Sequence, residues 1–395
     1  MKIERVESLH CDAGWRVFSY LKIATSDGVV GYSEYNESYG SRGVSKVIEE
    51  LAPEIIGKDP LATEAIFAGL YAMTRQAPGG INAQAIAAIE NALFDVKGKV
   101  LGLPVYKLLG GPIRTALPLY WSHCGTYRMH PATAGLIGKD VLGSIDDVAR
   151  LGEEVKAAGF DALKCNMYVF GERPHVHSPG FARSTGAGGA PELNADRKLV
   201  RALRAQMQAL REGGGDDMNI LLDMNFNFKT EGYLQVMRAL AEFDLFWYEL
   251  DVFNPEALAY IRRQANLPVA SCESVYGIRD FRRYFESQAM DVAIIDVPWN
   301  GIGQSMKIAA MADAYEVNVA PHNFYGHLCS AMSAHFCAAI PNFRIMEIDI
   351  DDVPWKDDLV THPPEIQAGH LMLSERPGWG TDINEEEVKK HPPRG

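Results

Sequence analysis

The chain has 395 residues and a formal net charge of −13, and it is longer than one ordinary domain. The negative charge argues against nucleic acid as a partner, because phosphate binding requires basic patches. No segment approaches the roughly 20 apolar residues of a membrane span, and the start Met1-Lys2-Ile3-Glu4 lacks the apolar core of a signal peptide. We therefore expect a cytoplasmic protein without a membrane partner. The six cysteines show no CxxC pair and no zinc spacing, which indicates reduced thiols.

Residues 1–115 are predicted to form an α+β unit. Alternating patterns over 17–24 and 29–35 flank Ser26-Asp27-Gly28, which is typical of a β-hairpin. A loop with Tyr39 and Arg42 follows, and three helical patterns come after it. Strands followed by helices distinguish this unit from the alternation further along the chain.

Residues 116–353 alternate between apolar strand patterns and helical patterns. Strands are predicted at 117–121, 162–164, 220–223, 245–249, 269–273, 292–296, 317–320 and 343–346. The helix at 145–158 has Ser144 and Asp147 as its predicted cap. From the third to the seventh strand, successive strand ends are separated by about the length of one βα unit. This repeat predicts a (β/α) barrel, whose active site gathers at the C-terminal ends of the strands.

Three successive predicted strands end on Asp223, Glu249 and Glu273. Carboxylates crowded into one volume raise each other's pKa unless a cation neutralises them. An all-oxygen ligand set suits a hard divalent ion, so the pattern predicts one Mg²⁺ per active site. The alternative is that these three side chains form salt bridges at the rim.

The chain resembles the enolase superfamily, specifically its mandelate racemase subgroup, over nearly its whole length. The matching features are residues 28–34 (GVVGYSE), 87–95 (AAIENALFD), 103–111 (LPVYKLLGG) and 377–380 (PGWG), and the three carboxylates followed by Asp296 and His322. The resemblance implies an α/β fold in which an α+β cap covers a modified (β/α)₇β barrel. Residues 354–395 would fold back on the cap.

The same resemblance implies removal of a proton α to a carboxylate group of a small-molecule substrate. His322 would be the base, and Asp296 would orient its imidazole. Glu347 matches the acid of the eighth strand, which could hydrogen-bond the enediolate oxygen if it is protonated. The alternatives are that Asp296 caps a helix, that His322 binds backbone in the core, and that Glu347 is a salt-bridge partner.

The second barrel strand departs from the family pattern. Many relatives have Lys-x-Lys there, whereas this chain has Lys164-Cys165-Asn166. Asparagine cannot accept a proton at neutral pH, so the base opposite His322 is missing. Lys164 would then hold the substrate carboxylate, with Asn166 and Asn225 offering hydrogen bonds. Residues 166–193 form a long insertion that could supply another acid or base, and its candidates are Tyr168, His175 and His177.

A single base favours a dehydratase over a racemase, which needs two opposed bases. We therefore predict an acid-sugar dehydratase that converts an aldonate or aldarate to a 2-keto-3-deoxy acid, with Trp15, Tyr39 and Arg42 near the far end of the substrate. Three alternatives stay open: a racemase, epimerase or cycloisomerase of the same superfamily, a sugar-acid-binding barrel without turnover, and an aldolase using Lys164 as a Schiff base. We also expect a homo-oligomer.

Overall fold

The computed structural model describes residues 1–181 and 195–393, and the chain begins with an antiparallel sheet followed by helices. The strands are β1 (Ile3–Asp12), β2 (Val17–Thr25) and β3 (Val30–Asn36), and the helices are α1 (Val44–Leu51), α2 (Thr63–Thr74), α3 (Gly80–Leu101) and α4 (Val105–Leu108). β2 pairs with both neighbours, and the predicted hairpin is confirmed, with Gly28 in the left-handed region at φ 81°. The sheet and helices share an apolar core of their own, and we call this unit the cap.

Eight parallel strands then alternate with helices, and a separate two-stranded antiparallel hairpin follows the second of these strands. In chain order the elements are β4 (Ala116–Ser122), α5 (Pro131–Leu136), α6 (Ile145–Ala157), β5 (Ala162–Cys165), β6 (Tyr168–Val169), β7 (His175–Val176), α7 (Arg197–Gly214), β8 (Asn219–Asp223), α8 (Thr230–Leu240), β9 (Trp247–Glu249), α9 (Pro255–Gln264), β10 (Val269–Ser271), α10 (Gly277–Glu286), β11 (Val292–Asp296), α11 (Val297–Asn300), α12 (Ile302–Ala314), β12 (Asn318–His322), α13 (His327–Ala339) and β13 (Met346–Asp349). Ser144 and Asp147 form the predicted capping box of α6. No helix within the described residues is long and apolar enough to cross a membrane.

The barrel closes where its last strand, β13, pairs with its first, β4, and Glu347 lies opposite Tyr120. A bridge between Val319 and Phe343 joins β12 to the segment that precedes β13. The predicted modified (β/α)₇β barrel with an α+β cap is therefore confirmed. The last strand starts at Met346 rather than at residue 343, so Glu347 lies inside it and not just beyond it.

The alternation of side chains along each strand brings the polar residues together. Tyr120, Ala162, Leu221, Trp247, Ile294, Ala320 and Ile345 form an apolar layer inside the barrel, and two positions after them come Ser122, Lys164, Asp223, Glu249, Asp296, His322 and Glu347. Residues two apart on a strand face the same side, so this second set lies inside the barrel, one layer nearer its C-terminal rim. Glu273 comes three positions after Ala270, and the alternation breaks at Cys272, whose φ is 91°.

The C-terminal segment contacts both the barrel and the cap. It contains β14 (Glu365–Gln367), β15 (His370–Met372) and α14 (Glu385–Lys390). β15 pairs antiparallel with the start of β4. Trp379 donates its indole N–H to the Tyr32 carbonyl and its backbone N–H to Asp95, at 2.9 Å each. The segment therefore holds the cap against the barrel.

The cap also binds the barrel backbone directly after the strands that carry Asp296 and His322. The carboxylate of Glu34 accepts the backbone N–H groups of Gly326 (2.6 Å) and Cys329 (2.9 Å) at the start of α13. Asn91 donates to the Val297 carbonyl and accepts from Ile302 on either side of α11. The family motifs at residues 28–34 and 87–95 therefore fix the loops that follow the two catalytic candidates.

Replacing Glu34 by alanine is expected to lower the free energy of unfolding by about 2 to 5 kcal/mol, because two buried N–H groups would lose their acceptor. Burial raises the pKa of Glu34 to about 7 even though the two N–H groups lower it. Chemical denaturation at constant pH measures the effect. The control Glu49→Ala changes an exposed carboxylate on α1, and equal stability of the two variants would show that Glu34 does not anchor α13.

His335 connects three segments inside the junction of cap and barrel. Its Nδ1 accepts the backbone N–H of Tyr106 at 2.9 Å, and its Nε2 lies 3.1 Å from the Trp379 carbonyl. Because a backbone N–H can only donate, Nδ1 must carry a lone pair and Nε2 must carry the proton. The ring is therefore held neutral, and burial lowers its pKa to about 4.

Acid is expected to destabilise the fold through His335. The folded pKa of about 4 lies below the ordinary histidine pKa of 6.5, so the unfolded chain binds a proton first as the pH falls between these values. The loss amounts to about 2 kcal/mol between pH 7 and pH 5. Denaturant titrations of wild type and His335→Gln at both pH values test this, since glutamine gains no proton. His370→Gln, at a half-buried histidine on β15, is the control, and an unchanged pH dependence in His335→Gln would contradict the assignment.

Candidate active site

The imidazole of His322 pairs with the carboxylate of Asp296 across the adjacent strands β12 and β11. These two residues are directly opposite in the parallel register, and Nδ1 of His322 lies 2.6 Å from Oδ2 of Asp296. Asp296 also accepts the hydroxyl of Tyr325 (2.5 Å) and the backbone N–H of Trp299 (2.8 Å), which fixes its orientation. Nε2 of His322 faces Glu273, 3.5 Å from its carboxylate oxygen. The structure thus brings together the base and orienting carboxylate predicted from sequence.

Lys164 lies among the predicted metal ligands. Its ammonium is 2.8 Å from Glu249, 2.9 Å from Glu347 and 3.5 Å from Asp223, and its side chain is 2% exposed. Asp223 and Glu249 are opposite each other in the register of β8 and β9, so they share one part of the rim. In this arrangement the lysine neutralises carboxylates, whereas the sequence suggested that it holds the carboxylate of a substrate.

The rim carries more negative than positive charge. A fourth carboxylate, Asp251, accepts the backbone N–H of Cys272 at 3.2 Å. Burial raises the pKa of Glu249 to about 7 and that of Asp251 to about 6, and Asp223 adds to both shifts. Burial also raises the pKa of Glu273 well above its usual range. With Glu347 and Asp296 there are six carboxyl groups, and among the described residues Lys164 and His322 are the cationic groups in direct contact with them, so the cluster favours a further cation.

The donor set fits a hard divalent metal ion. Asp223, Glu249 and Glu273 offer only oxygen atoms from three neighbouring strands, which is the ligand type that Mg²⁺ prefers. Within the described residues, no three His, Cys, Asp or Glu side chains already stand in the geometry of metal ligands. Lys164 contacts two of the three predicted ligands, so its ammonium supplies positive charge where the metal would bind.

The surroundings of Glu347 favour its ionised form. Burial acts to raise its pKa, but the positive charges of Lys164, His322 and His123 outweigh burial and lower the pKa to about 2. The carboxylate accepts the backbone N–H of Asn323 at 2.7 Å and the hydroxyl of Ser122. A hydrogen bond from a protonated Glu347 to an enediolate oxygen therefore stays a prediction, because these surroundings favour the ionised form.

The amides predicted to bind substrate lie beside the cluster. Asn166 is 7% exposed, its Oδ1 accepts the hydroxyl of Thr126 at 2.8 Å, and its Nδ2 lies 3.4 Å from Oδ1 of Asn225. Asn225 has a φ of 44° and donates its backbone N–H to Asp223 at 2.9 Å. The two amides therefore contact each other at the rim, and Asn225 is bonded to a predicted metal ligand.

The loops of the cap place aromatic rings next to the dyad. The Trp15 ring lies 4.3 Å from that of Tyr127, and the Tyr39 ring lies 6.1 Å from that of Phe324, whose ring is 4.9 Å from His322. Tyr39 thus lies one ring away from His322, and Trp15 packs on Tyr127, while contact of either residue with substrate stays a prediction. Arg42, by contrast, is exposed and forms no hydrogen bond or ion pair with the described residues.

The insertion supplies a short hairpin, β6 and β7, in its described part, and residues 182–194 lie outside the described residues. Tyr168 is fully buried and donates its hydroxyl to the Cys124 carbonyl at 2.5 Å. His175 contacts the carbonyl of Arg173, and the His177 ring stacks on Phe228. None of these three contacts joins a candidate to the dyad or the carboxylates.

Several residues of the site are absent from the sequence prediction. Asp251 follows a strand by two positions, and His123 and Tyr127 follow β4, so polar residues just beyond strand ends were the available signal. Arg16 gave no such signal, because it comes from the cap. Its buried guanidinium contacts Asp349 at 3.1 Å and Asp352 at 2.5 Å, and only the folded chain brings these residues together.

The fold and site define a capped barrel protein with a buried imidazole–carboxylate pair beside a cluster of carboxylates. Sequence models of two families match the chain, mandelate racemase / muconate lactonizing enzyme, N-terminal domain, over residues 13–110 and enolase C-terminal domain-like over residues 147–388. The chain therefore belongs to the enolase superfamily, within the mandelate racemase subgroup.

Curated relatives are similar along nearly the whole chain. A D-galactonate dehydratase family member of Halomonas elongata is 30% identical, with 100% of this chain and 96% of the relative covered. A D-xylonate dehydratase of Haloferax volcanii is 28% identical, with 94% and 84% covered.

Solved structures share the fold. One, named for an L-alanine-DL-glutamate epimerase of Burkholderia xenovorans bound to magnesium and fumarate, is 50% identical with a TM-score of 0.95, covering 100% of this chain and 96% of that one. Another, named for a dehydratase of Salmonella enterica, is 25% identical with a TM-score of 0.89, covering 100% and 99%.

Proposed function

We propose that this protein is a magnesium-dependent acid-sugar dehydratase that eliminates the β-hydroxyl of an aldonate or aldarate to give a 2-keto-3-deoxy acid. The observation that carries the proposal is the His322–Asp296 pair beside the carboxylate cluster. The similarity to acid-sugar dehydratases along the whole chain supports the substrate class.

His322 is assigned the removal of the α-proton. Asp296 holds Nδ1 through a 2.6 Å contact, so Nε2 is the atom that exchanges a proton with substrate. Burial lowers the pKa of His322, but the carboxylates of Glu273 and Asp296 outweigh burial and raise the pKa to about 10. Mg²⁺ held by Asp223, Glu249 and Glu273 would act as a Lewis acid on the substrate carboxylate and would also neutralise the charge that keeps a proton on His322.

Other residues of the site bind and orient. Asn166 and Asn225 offer amide groups at the edge of the carboxylate cluster, where hydroxyl groups of a sugar acid can be bound. The packed rings of Trp15 and Tyr127, 4.3 Å apart, offer an aromatic surface against which the carbon chain of a substrate would pack. These side chains suit a polyhydroxylated acid, in which each hydroxyl needs a partner and the carbon chain packs on aromatic rings.

An epimerase is the second candidate, since a neighbour that is 50% identical bears that name. Epimerisation at the α-carbon needs a proton acceptor on each face. Asn166 cannot accept a proton, and the ammonium of Lys164 is surrounded by three carboxylates, which raise its pKa well above the usual range against the effect of burial. This arrangement favours elimination.

The test is a screen of acid sugars and N-acyl or dipeptide acids with purified protein and Mg²⁺. The proposal expects semicarbazide-reactive 2-keto acid from at least one aldonate or aldarate. Inversion of an α-centre without keto acid would establish the epimerase instead. Saturable binding of sugar acids without any product or α-proton exchange would establish a binding protein.

A further inference from the structure

A second histidine, His123, is paired with an aspartate in the same way as His322, but it follows the first strand of the barrel. It directly follows β4, and its Nδ1 lies 3.0 Å from Oδ1 of Asp349 on the neighbouring strand β13. The Asp349 side chain is fully buried and also accepts the hydroxyl of Tyr127 at 2.8 Å. His322 has the same partners in kind, namely a buried aspartate that also accepts a tyrosine hydroxyl. The ends of the barrel strands therefore carry an imidazole–carboxylate pair at His123 as well as the one at His322.

The two imidazoles lie on one wall of the site. The ring of Phe324 is 6.0 Å from His123 and 4.9 Å from His322, so both imidazoles lie beside the same phenyl ring. The ring of His123 stacks on Tyr127 with centroids 5.2 Å apart. Both imidazoles also act on the same carboxylate, since each helps to lower the pKa of Glu347.

Nε2 of His123 is available to a ligand. Nδ1 faces Asp349 and the hydroxyl of Ser122 (3.1 Å), whereas Nε2 forms no hydrogen bond with any residue that the structure describes. The His123 side chain is 21% exposed, which is enough to contact a bound molecule. Its backbone has a φ of 45°, a conformation that is uncommon for residues other than glycine and that recurs at functional sites.

We propose that His123, oriented by Asp349, is the general acid that protonates the departing β-hydroxyl. This inference rests on the proposed dehydratase function. Nε2 of His322 takes the α-proton, and the electrons of that C–H bond move into the substrate carboxylate to give an enediolate, which can be reprotonated. In the second step these electrons form the carbon–carbon double bond as the β C–O bond breaks. The oxygen takes the Nε2 proton of His123 and leaves as water. The enol product becomes the 2-keto acid by gaining a proton at the β-carbon and losing its hydroxyl proton. Proton exchange with solvent then returns both imidazoles to their starting protonation states.

The different roles of His322 and His123 can be measured as two separate steps. Exchange of the α-hydrogen with solvent deuterium needs only His322, whereas elimination needs both histidines. In the magnesium-loaded enzyme, His123→Asn is expected to slow 2-keto acid formation by about 10²-fold or more while α-exchange stays within a few-fold of wild type. His130→Asn, at an exposed histidine on the segment after β4, is the control that should change neither rate.

A substrate with a better leaving group makes the test specific for an acid. Fluoride leaves with little need of protonation, so the loss in His123→Asn should shrink at least tenfold with the β-fluoro analogue of the same acid. An equal loss for both substrates, or a parallel loss of exchange and elimination, would overturn the assignment and leave His123 a structural residue. If wild type forms no 2-keto acid from any acid sugar, the proposed function itself fails, and the role of His123 falls with it.

Discussion

The variant His322→Asn is expected to lose at least about 10²-fold in both α-hydrogen exchange and 2-keto acid formation, because the group that receives the α-proton is gone. Asparagine can still donate to Asp296, so the local packing is retained. Magnesium affinity should stay close to that of wild type, since His322 is not a predicted ligand. Isotope exchange followed by NMR, together with a calorimetric Mg²⁺ titration, separates the two properties.

The matched control for this variant is His362→Asn, which changes an exposed histidine of the C-terminal segment. It should leave both rates unaltered. Near-normal exchange in His322→Asn would remove His322 from its role as base. Loss of magnesium binding in the same variant would instead mean that the imidazole contributes to the metal site.

The variant Glu249→Gln is expected to weaken magnesium binding by about 10²-fold or more and to lower dehydration with it. Substituting residues that merely support a metal ligand already costs 10- to 100-fold in affinity, so loss of a ligand charge should cost at least as much. The substitution also takes away the carboxylate 2.8 Å from Lys164, which leaves that ammonium nearer to Asp223 and Glu347. Isothermal titration with Mg²⁺ alone measures the effect without any substrate.

Glu256→Gln provides the comparison, since Glu256 is an exposed carboxylate on α9, a few residues further along the chain. Wild-type magnesium affinity in Glu249→Gln would exclude Glu249 as a ligand. The contact with Lys164 would then be its permanent role, and the predicted metal site would have to be built from other carboxylates.

The sequence determined the barrel and most of its rim. Buried parallel strands appear as short apolar runs, and a polar residue at the end of such a run faces the site because side chains alternate along a strand. Asp223, Glu249, Asp296 and His322 were found by this rule, and the structure places them at the C-terminal rim. Glu273 was found as well, although its register differs because Cys272, the residue before it, has a positive φ of 91°.

Which charged side chains contact each other depends on the tertiary structure. The ammonium of Lys164 lies among Asp223, Glu249 and Glu347, and its proximity favours the ionised form of Glu347, which a reading of separate strands could not reveal. Arg16 reaches Asp349 across more than 300 residues of chain.

The pairing of His123 with Asp349 has the same origin, because it exists only once the last strand of the barrel closes on the first. A local pattern identifies which residues point inward, since it depends on the backbone alone. The protonation state and partner of each residue depend on distances between strands that are remote in sequence, and those distances are set by closure of the barrel.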